Sequence, residues 1–220
     1  MFRFLPTVDK VEARRHWHEV HAPLVAKIPG LAAYTQGDPV ERIGAGMTES
    51  AETWDAYIAH WYPDEATFQA AMKSPEWAAI DADGGSFVDM TYAPLVAVDE
   101  RVIVDGPRAG FKVVWMGRFK EGLARTDASD YWTEAHGSLR ASTGGLKRYV
   151  QNHTTKFLWP VSDDDPGYDG VGEVWYADRD AYLESVQSAA GVRAEADDAN
   201  FADRARSWAA VVDERFVKGP

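Results

Sequence analysis

The sequence predicts an α+β fold in which one βαββαβ unit occurs twice in tandem. Three observations predict it: an internal repeat that runs through the chain, the same order of strand-like and helix-like segments in both copies, and a turn-rich seam between them. The copies are expected to cover residues 1–105 and 111–220, because Gly106, Pro107 and Gly110 lie in the seam.

The repeat is visible when the chain is compared with itself at an offset of 115 residues. Nine of the twenty positions in 17–36 are identical to their counterparts in 132–151. The identical pairs include Trp17 and Trp132, His21 and His136, Tyr34 and Tyr149, and Gln36 and Gln151. At an offset of 114, Trp61, Phe87 and Asp89 match Trp175, Phe201 and Asp203. Because matches occur throughout, the whole unit is duplicated.

The second copy shows the elements of one unit most clearly. Residues 111–119 are rich in β-branched and aromatic side chains and predict a strand. Thr126 is expected to begin a helix whose apolar stripe runs through Trp132, His136 and Leu139. The remaining elements are strands at 146–153 and 169–176 around a polar loop at 162–167, helices at 181–188 and onwards to 201, and a last strand at 208–217.

The first copy has only residues 1–5 where the second has 111–119, so its first strand is expected to be short. The order βαββαβ is that of a ferredoxin-like sheet with both helices on one face. Two such units can bury their bare faces against each other within one chain. The predicted fold class is therefore an intramolecular dimeric α+β barrel, an internal pseudo-dimer that leaves further homo-oligomers open.

Composition excludes several classes of function. A net charge of −12 argues against nucleic-acid and membrane-surface partners, which need a basic face. There is no cysteine, so disulfides, thiolate nucleophiles and iron–sulfur clusters are excluded. No apolar run approaches the length of a membrane span or signal peptide, and a cytoplasmic location is the default expectation.

Five motifs resemble, in order, those of the EthD family of dimeric α+β barrels. They are Trp17-x-x-x-His21-x-Pro23-Leu24, Pro29-Gly30-Leu31-x-x-Tyr34-x-Gln36, the segment 55–62, Ser74-Pro75-Glu76-Trp77, and Asp83-x-x-x-Phe87-x-Asp89. The second copy departs from the pattern at Ser138 and at 189–191. The resemblance implies a pocket between sheet and helices that needs no cofactor, and it implies the fold better than a reaction.

His21 and His136 are the candidate catalytic residues. Each follows a tryptophan by one helical turn, so it is expected to face the sheet, where a neutral imidazole can transfer protons near pH 7. The alternative is a structural histidine hydrogen-bonded to the sheet. The first copy is favoured if only one site works, because the second departs from the motifs.

Asp89 and Asp203 are candidate acid/base partners, with a helix cap or ion pair as the alternative. Candidate substrate-binding residues include two pairs at i and i+2 on a strand, which point to one face: Tyr34 with Gln36, and Tyr149 with Gln151. Aromatic walls are expected from Trp17, Trp61, Phe87, Trp175 and Phe201, although aromatic residues at strand spacing are also typical of a core.

No metal site is expected, because His18-x-x-His21 has no histidine in the second copy at the position of His18 and no carboxylates complete it. The favoured hypothesis is an enzyme without a cofactor, of dehydratase, isomerase or lyase type, that acts on a small apolar or aromatic metabolite. The alternatives are a non-catalytic binding or accessory protein and, less favoured, a haem protein.

Overall fold

The computed structural model of the chain describes residues 1–43, 54–160 and 167–219. The polar loop predicted at 162–167 lies, apart from Gly167, outside these residues. Within them the chain divides into two compact units. The first contains residues 1–39, 54–94 and 214–219, and the second contains residues 40–43, 95–160 and 167–213. The α+β class predicted from the sequence is confirmed.

The first repeat begins with two isolated bridges in place of a full strand, because Phe2 pairs with Ala56 and Phe4 pairs with Val88. The short first strand expected from the sequence is thus reduced to two contacts. The elements that follow are α1 (Lys10–His16), a π-helical turn π1 (Trp17–His21), α2 (Ala22–Val25), β1 (Ala33–Arg42), β2 (Tyr57–Trp61), α3 (Glu65–Ala71), α4 (Pro75–Gly84), a 3₁₀ turn (Met90–Tyr92) and β3 (Leu95–Val104).

The second repeat has the same order with a complete first strand. Its elements are β4 (Phe111–Gly117), α5 (Arg125–Tyr131), a π-helical turn π2 (Trp132–His136), α6 (Gly137–Ala141), β5 (Leu146–Trp159), β6 (Gly170–Tyr176), α7 (Arg179–Gln187), α8 (Ala189–Asp197), 3₁₀ turns (Asp198–Asn200 and Arg204–Arg206) and β7 (Trp208–Lys218). The helix predicted to begin at Thr126 begins at Arg125, with Ala124 at the N-cap position and no side-chain cap.

Each unit contains antiparallel pairing that positions its site. In the first unit β2 pairs with β1, with Tyr34 opposite His60 and Gln36 opposite Ile58, and the end of β7 lies beside β1. In the second unit the strand order is β7-β4-β6-β5-β3. The last strand of the first repeat, β3, therefore pairs with β5 of the second repeat rather than within its own repeat.

One aspartate in each repeat holds the N-terminal segment of that repeat against the sheet. Asp55 accepts a hydrogen bond from the backbone N–H of Phe4 at 3.0 Å and pairs with Lys10 at 2.7 Å. Asp169 does the same in the second repeat, with Phe119 at 2.7 Å and Arg125 at 3.1 Å. Charge-assisted bonds of this kind fix the direction in which each first helix leaves the sheet.

The π-helical turns are held by a glutamine from the facing strand. In π1 the backbone N–H of Ala22 donates to the Trp17 carbonyl, five residues back, and Gln36 Nε2 donates to the same oxygen at 3.1 Å. Such turns insert one extra residue into a helix and frequently occur at functional sites. Because the glutamine is anchored in β1, the histidine that ends the turn has a fixed position above the sheet.

The second repeat builds the same arrangement. The N–H of Gly137 and Nε2 of Gln151 both donate to the Trp132 carbonyl, the latter at 2.8 Å. Nε2 of Gln151 also donates to the Tyr149 hydroxyl at 2.7 Å, which in turn accepts from Trp132 Nε1 at 3.2 Å. Trp132 stacks against Phe201 and contacts Phe119 edge-on in a buried aromatic cluster. Trp17 packs with Phe2, Phe4 and Phe87 in the same way.

We expect replacement of Gln151 by Leu to lower the free energy of unfolding by about 1–3 kcal/mol, because it leaves the buried Trp132 carbonyl and Tyr149 hydroxyl without their shared donor. Urea denaturation followed by circular dichroism measures the change. Gln187→Leu, at an exposed position on α7, is the matched control and is expected to change stability by less than about 0.5 kcal/mol. Equal effects of the two substitutions would show that the bond to π2 does not stabilise the fold.

Candidate functional site

His21 ends the π1 turn and lies against an aspartate on α4. Its Nδ1 is 2.8 Å from one oxygen of Asp83, and His16 Nε2 is 2.9 Å from the other. The ring of Phe87 packs edge-on against His21 with centroids 5.2 Å apart. Because a carboxylate only accepts hydrogen bonds, Nδ1 of His21 is the donor, and the lone pair of its Nε2 has no hydrogen-bond donor among the residues that the structure describes.

Burial lowers the pKa of His21, and its contact with Asp83 opposes part of this shift. The imidazole is consequently neutral near pH 7, although 14% of its side chain remains accessible to solvent. A neutral, oriented imidazole with a free Nε2 can accept a proton from a bound molecule and return it. This arrangement, His21 with Asp83 and Phe87, is termed site 1.

The second repeat places equivalent residues together, in an arrangement termed site 2. His136 Nδ1 lies 3.1 Å from Asp197, whose other oxygen accepts a hydrogen bond of 2.7 Å from Tyr131. Phe201 contacts the His136 ring at 4.9 Å. Burial, followed by the charge of Arg140, lowers the pKa of His136 to about 4.

The sites differ at the second ring nitrogen of the histidine. In site 2, Asp198 places an oxygen 3.6 Å from His136 Nε2, and burial raises the pKa of that carboxyl group to about 6. In site 1 the corresponding residue is Gly84, and a Cβ atom added there would lie 3.8 Å from His21 Cε1. His136 is therefore enclosed by two carboxyl groups, whereas His21 contacts one aspartate and faces a glycine on its other side.

The tyrosine–glutamine pairs predicted on the second strand of each repeat lie beneath the π turns. Tyr34 and Gln36 are both buried, as are Tyr149 and Gln151. Burial raises the pKa of Tyr149 to about 12 and raises that of Tyr34 further. These hydroxyl groups remain protonated at neutral pH and act as hydrogen-bonding groups rather than bases.

The structure thus brings together nine of the residues proposed from the sequence: Trp17, His21, Tyr34, Gln36 and Phe87 in the first repeat, and His136, Tyr149, Gln151 and Phe201 in the second. Trp132 is the tenth residue of the group, and the sequence interpretation noted it only as part of the repeat. All ten lie on the side of the sheet that faces the π turns.

Asp89 and Asp203 are not brought to the histidines. Asp89 caps the 3₁₀ turn that follows it by accepting from the backbone N–H of Thr91 at 3.1 Å. Asp203 caps the turn at 204–206 and pairs with Arg206 at 2.6 Å. These are the capping and ion-pair contacts that the sequence left as the alternative for both residues.

Trp61 and Trp175 lie on the opposite face of their strands. Trp61 is paired with Ala33, one position away from the pair of Tyr34 and His60, and side chains alternate between faces along a strand. Trp175 is paired with Arg148 and Lys112 and lies 4.7 Å from the Lys112 ammonium. Neither tryptophan contributes to the walls around the histidines.

The sequence interpretation missed Asp83 and Asp197 as partners of the histidines. A signal was present, because both are aspartates and both follow the offset of 114 that relates Phe87 to Phe201. Burial alone would not have identified them, since both are only partly buried. The contact depends on how α4 and α8 pack against the π turns.

A second polar cluster lies beside each π turn. In the first unit Asp38 pairs with Arg14 at 2.8 Å and with His18 at 3.0 Å. In the second unit, His153 stands at the position of Asp38, and its ring nitrogens lie 2.7 Å from Ser129 and 3.2 Å from Thr133. Within the described ranges, no group of three His, Asp or Glu side chains is arranged to hold a metal ion.

The repeated geometry defines a tandem α+β protein with one histidine–aspartate pair in each repeat. The EthD domain family matches residues 5–91 and 120–205, more than half of the sequence. The chain belongs to the EthD family. The family and the α+β fold class inferred from the motifs, with the EthD domain found twice in tandem, are therefore confirmed. No curated protein matches this chain.

Solved structures share the fold at low sequence identity. An anthrone oxidase-like protein has a TM-score of 0.65 and 11% identity, over 99% of this chain and 91% of that one. A candidate monooxygenase from Fusobacterium nucleatum subsp. nucleatum has a TM-score of 0.60 and 11% identity, covering 98% of this chain and 90% of that one. A candidate monooxygenase from Lactobacillus acidophilus has a TM-score of 0.57 and 9% identity, covering 96% and 91%. Over the described part of the chain, no helix combines the length and the apolar character needed to span a membrane.

We expect the stability of the protein to fall as the pH is lowered from about 6.5 to about 4. Burial, with a contribution from Arg101, lowers the pKa of His153 from 6.5 to about 4. In that window the unfolded histidine binds a proton that the folded one does not, so acid favours unfolding. The measurement is urea unfolding at pH 7 and at pH 4.5.

In His153→Gln the free energy of unfolding should decrease less between these two pH values than it does in the wild-type protein. The difference should be at most about 3 kcal/mol, which is the free energy that corresponds to a pKa shift of this size. A variant with the same pH dependence as the wild-type protein would mean that His153 remains able to bind its proton in the folded state.

Proposed function

We propose that site 1 catalyses proton transfer on a small apolar or aromatic substrate, without a cofactor. His21 is the general acid/base, and Asp83 orients its ring and fixes the proton on Nδ1. The observation that carries this proposal is the free Nε2 of a neutral imidazole that lies beside Phe87 and opposite a glycine. Asp83 is a positioning residue, since it acts through the histidine.

The chemistry follows from the position of the lone pair. Nε2 removes a proton from a C–H group next to a carbonyl of the substrate, and the electron pair of that bond moves onto the carbonyl oxygen to give an enolate. Return of the proton to a different atom is an isomerisation, and loss of a β-hydroxyl as water is a dehydration. Both reactions are redox-neutral and need no group beyond the acid/base pair.

A second candidate function is favoured by the names of the structural relatives. Two are described as candidate monooxygenases and one as anthrone oxidase-like. An enolate or phenolate formed at His21 could transfer electrons to dioxygen as the oxidant, so the same first step supports oxidation. Oxygen consumption coupled to substrate loss distinguishes this function from isomerisation or dehydration, and binding without any turnover indicates an accessory protein.

We expect His21→Asn to lower kcat by about 10²–10⁴ for a substrate found by screening phenols, lactones and aromatic acids, because the general base is lost while hydrogen bonding to Asp83 is retained. His136→Asn is the matched control and should leave kcat within about threefold of the wild-type value if site 2 has no catalytic role. Product formation by liquid chromatography measures both rates. Unchanged turnover in His21→Asn would falsify the role of His21.

Gly84→Asp should also abolish most of the activity, because it installs next to His21 the carboxyl group that Asp198 places next to His136. A Cβ atom at this position would make an ordinary 3.8 Å contact with His21 Cε1. We expect kcat to fall at least about tenfold while the melting temperature changes little. Asp198→Gly is the reciprocal control. Full activity in a folded Gly84→Asp variant would show that Nε2 is not the reacting atom.

A further inference from the structure

Three polar atoms, on β1, on β2 and on the residue that follows β2, are shielded from solvent and lack a hydrogen-bond partner among the described residues: Gln36 Oε1, His60 Nε2 and the Tyr62 hydroxyl. The residues share one face of the sheet, because His60 is paired with Tyr34 and side chains two positions apart point the same way. This is the face that carries Tyr34 and supports the π1 turn. His60 is also close enough to His21 for the two rings to influence each other electrostatically.

Unpaired polar atoms of this kind are rare in a folded protein. Each one is costly relative to a hydrogen-bonded state, so a protein with several of them on one face of a sheet normally satisfies them with water or a ligand. The surroundings here are aromatic: the Tyr34 and His60 rings lie edge to face at 4.8 Å, and Tyr62 contacts Phe68 at 5.2 Å. Aromatic walls with a few converging polar groups are typical of small-molecule sites.

The second repeat provides an internal comparison, because among the described residues none of the corresponding side chains has a shielded polar atom without a partner. The oxygen of Gln151 lies 3.2 Å from His153 Nε2, whereas Gln36 has Asp38 at the corresponding position, which cannot donate. Val174 stands where the first repeat has His60. Tyr176 packs against Tyr182 and is buried. The second repeat thus satisfies the glutamine oxygen and lacks the histidine.

We infer that the first repeat alone binds the substrate, and that His60, Tyr62 and Gln36 recognise the oxygen substituents of an aromatic ring system with at least two hydroxyl or carbonyl groups. This inference rests on the proposed function, since it places the substrate beside His21. Gln36 Oε1 requires a hydroxyl donor, because its Nε2 is committed to the Trp17 carbonyl. His60 and Tyr62 can each donate or accept.

Burial lowers the pKa of His60 to about 4, and the charge of His21 contributes to the shift. The ring is therefore neutral at pH 7 and offers one donor and one acceptor rather than a positive charge. A neutral site of this composition favours phenols and ketones over carboxylates, which need a cationic partner.

The test is isothermal titration calorimetry with three probes of one shape: 1,8-dihydroxynaphthalene, 1-naphthol and naphthalene. We expect the wild-type protein to bind the dihydroxy compound most tightly. His60→Val and Tyr62→Phe should each weaken that binding by about tenfold or more and leave naphthalene nearly unchanged, since the loss is that of one buried hydrogen bond. His60→Val introduces the residue that the second repeat already has at this position.

Tyr176→Phe is the matched control for Tyr62→Phe and should not change the affinity for any probe. Circular dichroism checks that each variant is folded, and either of the two variants in the first repeat suffices if the other does not fold. The inference is overturned if the wild-type protein does not discriminate among the probes, if none binds, or if both variants retain full affinity for the dihydroxy compound, in which case water satisfies the three atoms.

The His21→Asn variant separates this inference from the proposed function. It should bind the dihydroxy compound with an affinity within about threefold of the wild-type value, because the recognition groups lie on the sheet. If His21→Asn turns over the substrate at the wild-type rate while binding still depends on His60, the catalytic role of His21 is rejected and the inference stands. If His21→Asn loses turnover but substitution of His60 and Tyr62 does not change binding, the inference is rejected and the catalytic role of His21 stands.

Discussion

The hydrogen bond from a strand glutamine to a tryptophan carbonyl in a π-helical turn is the contact on which both sites depend. An α-helix would use that carbonyl for the N–H four residues later, but here it accepts from the N–H five residues later and from the glutamine. The extra residue in the turn changes the direction of the histidine that ends it. Because the glutamine is part of a sheet, its hydrogen bond to the turn fixes the position of the histidine relative to that sheet.

Duplication gave the two repeats the same frame and left their side chains free to diverge. The histidine–aspartate pair and the tyrosine–glutamine pair occur in both. The second repeat adds Asp198 beside its histidine and a donor, His153, beside its glutamine, so these two side chains have polar partners within the repeat. Polar groups that are hydrogen-bonded within the protein stabilise the fold but are not available to bind a ligand. The first repeat has the opposite character, with unpaired atoms around a less enclosed histidine.

Several features of the site could be predicted from the sequence because they depend on local periodicity. The offset of 115 residues identified the duplicated histidines, and the spacing of Tyr34 and Gln36 placed both on one face of a strand. Asp89 was proposed from the sequence as a partner of the histidine. In the structure its carboxylate instead accepts a hydrogen bond from the backbone of the 3₁₀ turn that follows it. His60 carried no signal in the repeat, since its counterpart is a valine, and its importance emerges only from the pairing of β1 with β2.

The sequence by itself determined the duplication, the α+β class, the family and the identity of the helix histidines, because hydrophobic periodicity and internal identity are properties of the chain order. Only the tertiary structure decided which carboxylate orients each histidine, which tryptophans lie on the other face of the sheet, and which repeat keeps unpaired polar atoms. These facts depend on strand register and on the packing of helices against the π turns. Both are set by contacts between residues that are distant in sequence, which no local pattern encodes.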